Sequence, residues 1–256
     1  MTIRQDTGFE GGKKSLVLNI KDSLQTLYEH PACPQLLHVV LSQVTSWQER
    51  NETTQGVALR WSPDLCAALL VMGTRVRTNK NNTQPADPRL PLAGLLCTPD
   101  PPLLLADFLS RRGTIASLIE LSLPLEVPER VFGHAHVRRT PGDIPIVSAY
   151  AAVDLGEGQV KAVRLALTGV WREQPQLVVC RGGSIILTVY GHNPQRPAPT
   201  RLVGNPLSDE AISTTAKAIA KETNPKDNYL GSAEYRREMA EVLTRRALTM
   251  CREAAK

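Results

Sequence analysis

The chain has 256 residues, of which 42% are hydrophobic and 4% aromatic, and its 30 Lys and Arg residues outnumber its 25 Asp and Glu residues by five. This composition is typical of a globular protein with an aliphatic core, and the length allows one large domain or two small ones. The scarcity of aromatic side chains argues against a nucleic-acid surface built on base stacking, and so mild a positive charge does not require a polyanionic partner.

The cysteines exclude several kinds of site. Five of them are spread along the chain, at Cys33, Cys66, Cys97, Cys180 and Cys251. None has C-x-x-C spacing and the count is odd, so we expect no disulfide framework, no metal or iron–sulfur site of its own, and a reducing, cytoplasmic location. The first residues lack an apolar signal segment, and the longest apolar run, residues 65–72, is too short for a membrane span.

The amino-terminal part begins with a strand and two helices. Residues 14–20 are typical of a strand, and a helix with Pro34 at its first position follows. Ser62 favours the N-cap of the next helix, because Pro63 suits a first turn and Asp64 suits the positive end of the helix dipole.

Strands and a long loop are predicted after this helix. Gly73 ends the helix and residues 74–78 form a strand. Residues 78–102 are too rich in proline for helix or central strand, so we expect a surface loop. Strict alternation over residues 119–127 predicts a half-buried strand, in which Pro124 indicates a sheet edge or a bulge.

The second half of the chain predicts an antiparallel sheet followed by helices. Strands are expected over residues 130–138, 145–155 and 159–170, with a hairpin around Gly182 and Gly183. Ser208 and Ser232 are predicted to cap the two helices that follow. Four arginines of the last helix are expected to face outward: Arg236, Arg237, Arg245 and Arg246. Strands followed by helices indicate an α+β domain.

No motif in the chain predicts catalysis. The patterns of serine hydrolases, phosphate-binding loops, dinucleotide folds and zinc proteases are all missing from the sequence. His134 and His136 lie two residues apart on one strand face, as metal ligands sometimes do, but without a nearby third ligand a hydrogen-bonded strand face is favoured. The Arg-Arg pairs are interpreted as solvated faces in preference to anion sites.

A distinctive carboxy-terminal stretch carries a family resemblance. Residues 227–248, which read DNYLGSAEYRREMAEVLTRRAL, closely resemble the end of the flavoprotein (medium) subunit of molybdenum hydroxylases, the carbon-monoxide dehydrogenase and xanthine dehydrogenase family. Residues 138–147 resemble that family's R-R-x-x-D-x-x-x-V segment, and residues 160–170 resemble one of its strands. The resemblance covers residues 119–254, apart from an insertion near residues 176–198.

The resemblance implies two domains. Residues 1–127 would form a partial, degenerate FAD-binding-like domain, the remnant of the second lobe of a two-lobed domain, since the Gly-rich loop of the first lobe is not found. Residues 128–256 would form a flavoprotein C-terminal-like α+β domain, an antiparallel sheet packed with helices.

The resemblance also implies where FAD would bind. The positions that match the family's cofactor contacts are Thr54, Gly56, Ser62 and the backbone around Leu121. However, Val57 stands where the family has a second glycine, and a branched side chain there obstructs close approach of a diphosphate to the main chain. We therefore expect FAD binding to be weak or lost.

The resemblance implies partners of known kinds, a molybdopterin-binding large subunit and a [2Fe-2S] small subunit. Our first hypothesis is a structural or assembly homologue of the FAD subunit in such an oxidoreductase complex. The alternative is a functional FAD subunit that passes electrons from the [2Fe-2S] subunit to an acceptor. A nucleic-acid-binding or regulatory module is a third possibility, supported only by the net charge and the arginine pairs.

Overall fold

The computed structural model describes residues 2–5, 14–19, 22–42, 63–78, 103–104, 118–125, 129–141, 143–170, 176–181, 184–188, 198–199 and 202–256. Most of the predicted proline-rich loop and the Gly182–Gly183 turn lie outside these ranges.

The amino-terminal part contains a five-stranded antiparallel sheet with strand order β1-β2-β5-β3-β4. Its elements are β1 (Thr2–Gln5), β2 (Lys14–Asn19), α1 (Leu24–Glu29), α2 (Gln35–Ser42), α3 (Pro63–Met72), β3 (Arg75–Thr78), β4 (Leu103–Leu104) and β5 (Leu118–Pro124). The predicted strands at residues 14–20, 74–78 and 119–127 are confirmed within three residues. The sequence did not predict α1, whose N-cap Ser23 accepts a hydrogen bond from the Thr26 amide.

One prediction about this sheet is wrong. Pro124 suggested a sheet edge or a bulge, but β5 is central and pairs with both β2 and β3, and the register shift in its pairing with β3 lies at Arg77 and Thr78, away from Pro124. Pro124 is tolerated because it is the last residue of the strand. It lies opposite Ser15, at one end of the pairing between β2 and β5.

The carboxy-terminal part is a six-stranded antiparallel meander followed by two helices. Its elements are β6 (Arg130–Val137), β7 (Val147–Gly156), β8 (Gln159–Thr168), β9 (Gln176–Arg181), β10 (Ser184–Thr188), β11 (Ala198–Pro199), α4 (Asp209–Glu222) and α5 (Ala233–Ala254), with strand order β11-β10-β9-β8-β7-β6. Glu157 and Gly158 join β7 to β8 with φ values of 56° and 74°. Two positive φ angles are typical of a tight hairpin turn.

The two faces of this sheet pack against different helices. Alternate residues of β7, Ala149, Ala151 and Val153, belong to a core shared with α4 and α5. The residues between them, Tyr150 and Ala152, belong to a second core, which contains α3 and the amino-terminal sheet. This arrangement places α3 between the two sheets. All of its residues from Leu65 to Met72 are consequently buried, as expected for a helix that is covered on both sides.

The last helix shows one clear departure from expectation. Ser232 caps α5 as predicted, and Arg237, Arg245 and Arg246 are exposed. The expectation that Arg236 faces outward is wrong, because this residue is only 4% exposed. Its burial is possible because the guanidinium donates hydrogen bonds to backbone and side-chain oxygens.

Within the described ranges, no helix is both long enough and apolar enough to cross a membrane.

Candidate functional site

The residues predicted to contact FAD are only partly visible. Thr54, Gly56 and Ser62 lie outside the described residues. Leu121 lies in the middle of β5, 1% exposed, opposite Leu18 of β2 and Val76 of β3. Its main chain is therefore flanked by paired strands on both sides, and the FAD role of all four residues stays a prediction.

The amino-terminal end of α3 contacts the carboxy-terminal sheet through Asp64. The Tyr150 hydroxyl donates a hydrogen bond to Asp64 Oδ1 at 2.9 Å, and Thr168 Oγ1 donates to the same oxygen at 3.4 Å. Tyr150 and Thr168 share one face of β7 and β8 because the register places Ser148, two residues before Tyr150, opposite Thr168. Asp64 thus joins the first turn of α3 to two adjacent strands.

A row of polar residues continues from this contact toward the sheet edge. His136 on β6 lies opposite Ser148 on β7, and His134 lies opposite Tyr150. Ser148 is fully buried, and its hydroxyl has no partner of good hydrogen-bond geometry among the described residues, although it lies near enough to the Tyr150 hydroxyl to lower the pKa of Tyr150. A buried hydroxyl without a partner is uncommon, since leaving it unsatisfied costs about 1–3 kcal/mol.

The protonation states in this row follow from burial and charge. Arg138 Nη2 lies 2.8 Å from His136 Nε2. Because a guanidinium can only donate, His136 Nε2 must accept, and the ring is neutral with its proton on Nδ1. Burial, the Arg138 charge and His134 lower the pKa of His136, and burial lowers the pKa of His134. Both rings are consequently neutral at neutral pH.

Tyr150 is held in the protonated form. Burial raises its pKa well above the usual value, and the negative charge of Asp64 and the hydrogen bond to it raise the pKa further. A phenol that keeps its proton is a permanent donor to Asp64, so this contact is a structural hydrogen bond over the whole physiological pH range.

The other end of α3 is also fixed to the carboxy-terminal sheet. Arg130 of β6 donates from Nη1 to the Met72 carbonyl at 3.2 Å and from Nη2 to Asp154 Oδ2 at 2.8 Å. Arg164 of β8 donates to the same Asp154 oxygen at 3.0 Å. A cationic group at the last carbonyl of a helix complements the helix dipole. Both ends of α3 are therefore attached to the second sheet by hydrogen bonds that involve a charged group. This group is the Asp64 carboxylate at the first turn and the Arg130 guanidinium at the last.

The first turn of α3 can be compared with what a helix end needs in order to bind a cofactor phosphate. Helix amino termini bind phosphate when their free N–H groups and positive dipole face the ligand. In α3 the first residue is Pro63, which has no N–H, and the second is Asp64, whose carboxylate places a negative charge there. The described end of α3 does not suit a diphosphate group.

The described residues also give no metal cluster or catalytic pair. The rings of His134 and His136 stack with centroids 6.5 Å apart. Within the described ranges, no group of three or more His, Cys, Asp and Glu side chains is placed to hold a metal ion. The arrangement is that of a polar junction between two sheets.

Comparisons with known proteins find similarity to a protein family over part of the chain. Residues 178–251 match the family model of the CO dehydrogenase flavoprotein C-terminal domain. The medium chain of glyceraldehyde dehydrogenase from Sulfolobus acidocaldarius is 25% identical over 111 residues, covering 43% of this chain and 33% of that protein. The predicted resemblance to the CO dehydrogenase family medium subunit is confirmed. The chain spans about a third of the length of this curated relative.

Solved structures share the fold. Quinoline 2-oxidoreductase from Pseudomonas putida 86 superposes with a TM-score of 0.67 at 18% identity, covering 99% of this chain and 78% of that chain. Carbon monoxide dehydrogenase from Hydrogenophaga pseudoflava, in a form lacking the Mo-pyranopterin moiety of the molybdenum cofactor, gives a TM-score of 0.65 at 19% identity, with 99% and 78% coverage. The predicted α+β class is confirmed, and each superposition covers both sheets of this chain.

The contacts of α3 are additional to what the sequence predicts. The family-model match begins at residue 178 and so covers β10, β11, α4 and most of α5, but neither Asp64 nor Tyr150. Asp64 could be recognised from the sequence as a first-turn acid. Tyr150 and Thr168 could not be recognised as its partners, because strand alternation places them on a face without saying which helix covers it.

Proposed function

We propose that this chain is a subunit of a molybdenum-hydroxylase-like oxidoreductase complex, in which it replaces the FAD subunit as a structural or assembly component. Its expected partners are a molybdopterin-binding large subunit and a [2Fe-2S] small subunit, and it binds FAD weakly or not at all. The likeness to medium subunits supports the type of complex. The division into domains at residues 1–127 and 128–256 is part of this proposal, supported by the change of sheet between β5 and β6.

The position of the Asp64 carboxylate is the observation that carries the proposal. It occupies the first turn of α3 and accepts from Tyr150 and Thr168. A diphosphate placed at this helix end would meet a fixed negative charge. Moving Asp64 away would leave the buried Tyr150 hydroxyl without a partner, at a cost of about 1–3 kcal/mol. Weak FAD binding follows from this arrangement.

The attachment of α3 at both ends supports a structural role. Arg130 and Asp64 join opposite ends of the helix to the same sheet. A cofactor cleft between the sheets would need this helix to move or to offer free polar groups. The contacts suit a rigid block that presents fixed outer surfaces to partner subunits.

The alternative, a functional FAD subunit that passes electrons from the [2Fe-2S] subunit to an acceptor, is favoured by one observation. The Ser148 hydroxyl is buried near the Tyr150 hydroxyl without a hydrogen bond of good geometry in the described structure, in a row with His136 and Thr168. An unsatisfied hydroxyl in a polar row is what a ligand-binding site provides. In that case the chain would be the electron-transfer subunit of a molybdopterin dehydrogenase.

The cellular compartment is also part of the proposal. No disulfide joins the described cysteines, Cys33, Cys66 and Cys251. Cysteines without disulfides in a chain with an odd cysteine count fit the reducing cytoplasm.

The deciding experiment measures flavin directly. The chain would be purified together with the large and small subunits, extracted with acid, and the released FAD quantified by its fluorescence, so that [2Fe-2S] absorbance does not interfere. Far less than one FAD per complex is expected. Stoichiometric FAD would reject the structural role and support the alternative, and a purification that recovers neither partner would reject the complex.

The contribution of Asp64 has its own test in the same assay. D64N keeps a hydrogen-bond acceptor for Tyr150 but removes the negative charge. If the charge weakens FAD binding, D64N will show tighter FAD binding in a fluorescence titration than the wild type. T168V is the matched control, since it loses one contact to Asp64 without changing the charge. Equal FAD affinity in D64N and wild type would contradict the electrostatic explanation.

A further inference from the structure

An open groove lies between β6 and the carboxy-terminal half of α5, with a volume of about 520 Å³. We name it the β6 groove. On the strand side it is lined by His134, Ala135 and His136, and on the helix side by Arg245, Arg246, Thr249 and Met250, with Asp209 of α4 at one end.

The strand wall of the groove is a sheet edge. Among the described strands β6 is last in its sheet and pairs with β7 alone. An edge strand presents main-chain N–H and C=O groups that an added strand can pair with. Strand addition to such an edge is a common way to bind an extended peptide segment.

The helix wall of the groove is positively charged. Arg245 and Arg246 are exposed, and neither has a hydrogen bond or ion pair with any described residue. The carboxylate of the groove, Asp209, forms an ion pair with Arg252 at 2.6 Å. His134 and His136 are neutral, since burial lowers the pKa of both. The two arginines thus give the groove a net positive charge that only an acidic ligand complements.

From these two walls we infer that the β6 groove binds an extended, acidic segment of a partner polypeptide. The segment adds to β6 as a further strand, and carboxylates along it contact Arg245 and Arg246. Side chains of a strand alternate between faces with a repeat of about 7 Å, so acidic residues at alternate positions would all face the helix wall. His134 and His136 also belong to the polar row that leads to the junction at α3, but the inference does not depend on whether FAD binds.

The local packing keeps the two walls in place. A Cβ at Gly133, next to the groove, would lie 2.0 Å from the Ala247 carbonyl oxygen. Helix α5 therefore lies directly on β6 at this point. Such close backbone packing holds the spacing between the strand edge and the arginines, and a preformed groove lowers the entropic cost of binding.

The test uses a phage library of random eight-residue peptides selected against the full chain. Enriched peptides are expected to carry Asp or Glu at alternate positions and to lack proline. A synthetic copy of one enriched peptide would then be titrated by fluorescence anisotropy. Charge reversal in R245E/R246E is expected to weaken its binding at least about tenfold, as the loss and reversal of two exposed ion pairs would do.

A matched control reverses two charges elsewhere. Lys221 of α4 and Arg237 of α5 are exposed and do not line the groove. The K221E/R237E variant has the same net charge as R245E/R246E and is expected to bind the peptide as the wild type does. Equal weakening in both variants would show a non-specific charge effect and would overturn the inference.

Two further outcomes decide whether the segment binds as a strand. A copy of the peptide with a central proline is expected to lose binding, and hydrogen exchange is expected to slow at the amides of β6 when the original peptide is bound. Unchanged affinity of the proline peptide, or no protection of β6, would overturn strand addition. Failure to enrich any acidic peptide against the wild type would also overturn the inference, and circular dichroism verifies that each variant is folded.

Discussion

Tyr150 donates its phenolic hydrogen to Asp64, 86 residues earlier in the chain, over a distance of 2.9 Å. The contact joins the first turn of α3 to the middle of β7. Tyr150 itself belongs to the core that contains α3 and the amino-terminal sheet. One hydrogen bond therefore connects the helix of the amino-terminal part to the sheet of the carboxy-terminal part, and its strength bears on how firmly the two sheets are coupled.

The first prediction concerns this bond. Y150F removes the donor and keeps the ring, so the free energy of unfolding should fall by about 1–2 kcal/mol, as for a hydrogen bond to a charged acceptor. D64A should cost at least as much, because it leaves the buried Tyr150 hydroxyl unsatisfied. Urea denaturation of both single variants and the double variant gives the coupling free energy between Tyr150 and Asp64. We expect it to be at least about 0.5 kcal/mol.

The control for this cycle is Y229F, because Tyr229 is 83% exposed and its hydroxyl can bond to water. It should unfold with the wild-type free energy. Strictly additive losses in Y150F and D64A would contradict a direct Tyr150–Asp64 interaction.

The sequence predicted the local structure of this region but not its partners. Pro63, Asp64 and Gly73 define the start and end of α3 by capping rules that depend on neighbouring residues alone. The pairing of Asp64 with Tyr150 depends on which sheet covers the helix. No local pattern contains that information, so the candidate site could be found only from the structure.

The two wrong predictions have the same origin. Proline avoids central strands because it lacks a donor, yet Pro124 is accommodated at the last position of a central strand. Arginine avoids the interior because its charge must be hydrogen-bonded, yet Arg236 has acceptors on the distant residues Ile146 and Gly169 as well as on the nearby Asn228. In both cases the long-range environment satisfies a requirement that the local sequence leaves open.

The second prediction concerns Arg236. Its Nη1 donates to the carbonyls of Ile146 and Gly169 at 3.0 and 2.7 Å, and its Nη2 donates to Asn228 Oδ1 at 2.6 Å. R236A would remove all three of these hydrogen bonds and leave the buried Ile146 carbonyl without its Arg236 donor, so it should lower the free energy of unfolding by at least about 3 kcal/mol. R236K should recover only part of the loss, because an ammonium group cannot reproduce the planar fork.

The neighbouring Arg237 is exposed and provides the control. R237A should change the free energy of unfolding by less than about 0.5 kcal/mol, measured by the same chemical denaturation. Similar losses for R236A and R237A would mean that the Arg236 contacts contribute nothing specific.

The third prediction compares two glycines with the same backbone conformation. Gly169 has φ of 74° and Gly204 has φ of 82°. A Cβ at Gly169 would lie 2.0 Å from the Ile146 carbonyl oxygen, which also accepts from Arg236, whereas nothing lies within 4 Å of a Cβ at Gly204. G204A should cost about 1 kcal/mol from backbone strain alone, and G169A at least about 3 kcal/mol because the loop must also shift.

Thermal unfolding of both glycine variants distinguishes the two contributions. Only G169A is expected to change the hydrogen-exchange protection around Ile146 as well. If the two variants lose the same stability, the close approach to Ile146 has no energetic consequence and strain explains the whole effect.

The fourth prediction is a pH dependence that arises from His134 and His136. Burial lowers the pKa of both below the ordinary histidine value of 6.5, and the Arg138 charge and His134 lower that of His136 further, against a smaller opposing effect of Asp64. Both rings are neutral above pH 6.5 in the folded and unfolded chain, so they add no pH dependence there. Below 6.5 the unfolded chain takes up protons before the folded chain does, so the free energy of unfolding must fall until the pH reaches the folded-state pKa values.

Glutamine at these positions keeps hydrogen-bonding groups but cannot take up a proton. H134Q/H136Q should therefore lose less stability than the wild type between pH 7 and pH 5, by up to about 1.4 kcal/mol per pH unit for each histidine. Urea denaturation at a series of pH values measures both slopes, and the single variants should fall between them. Parallel slopes for wild type and double variant would show that burial on β6 does not hold these rings neutral, and the orientation of His136 as an acceptor from Arg138 would then be wrong.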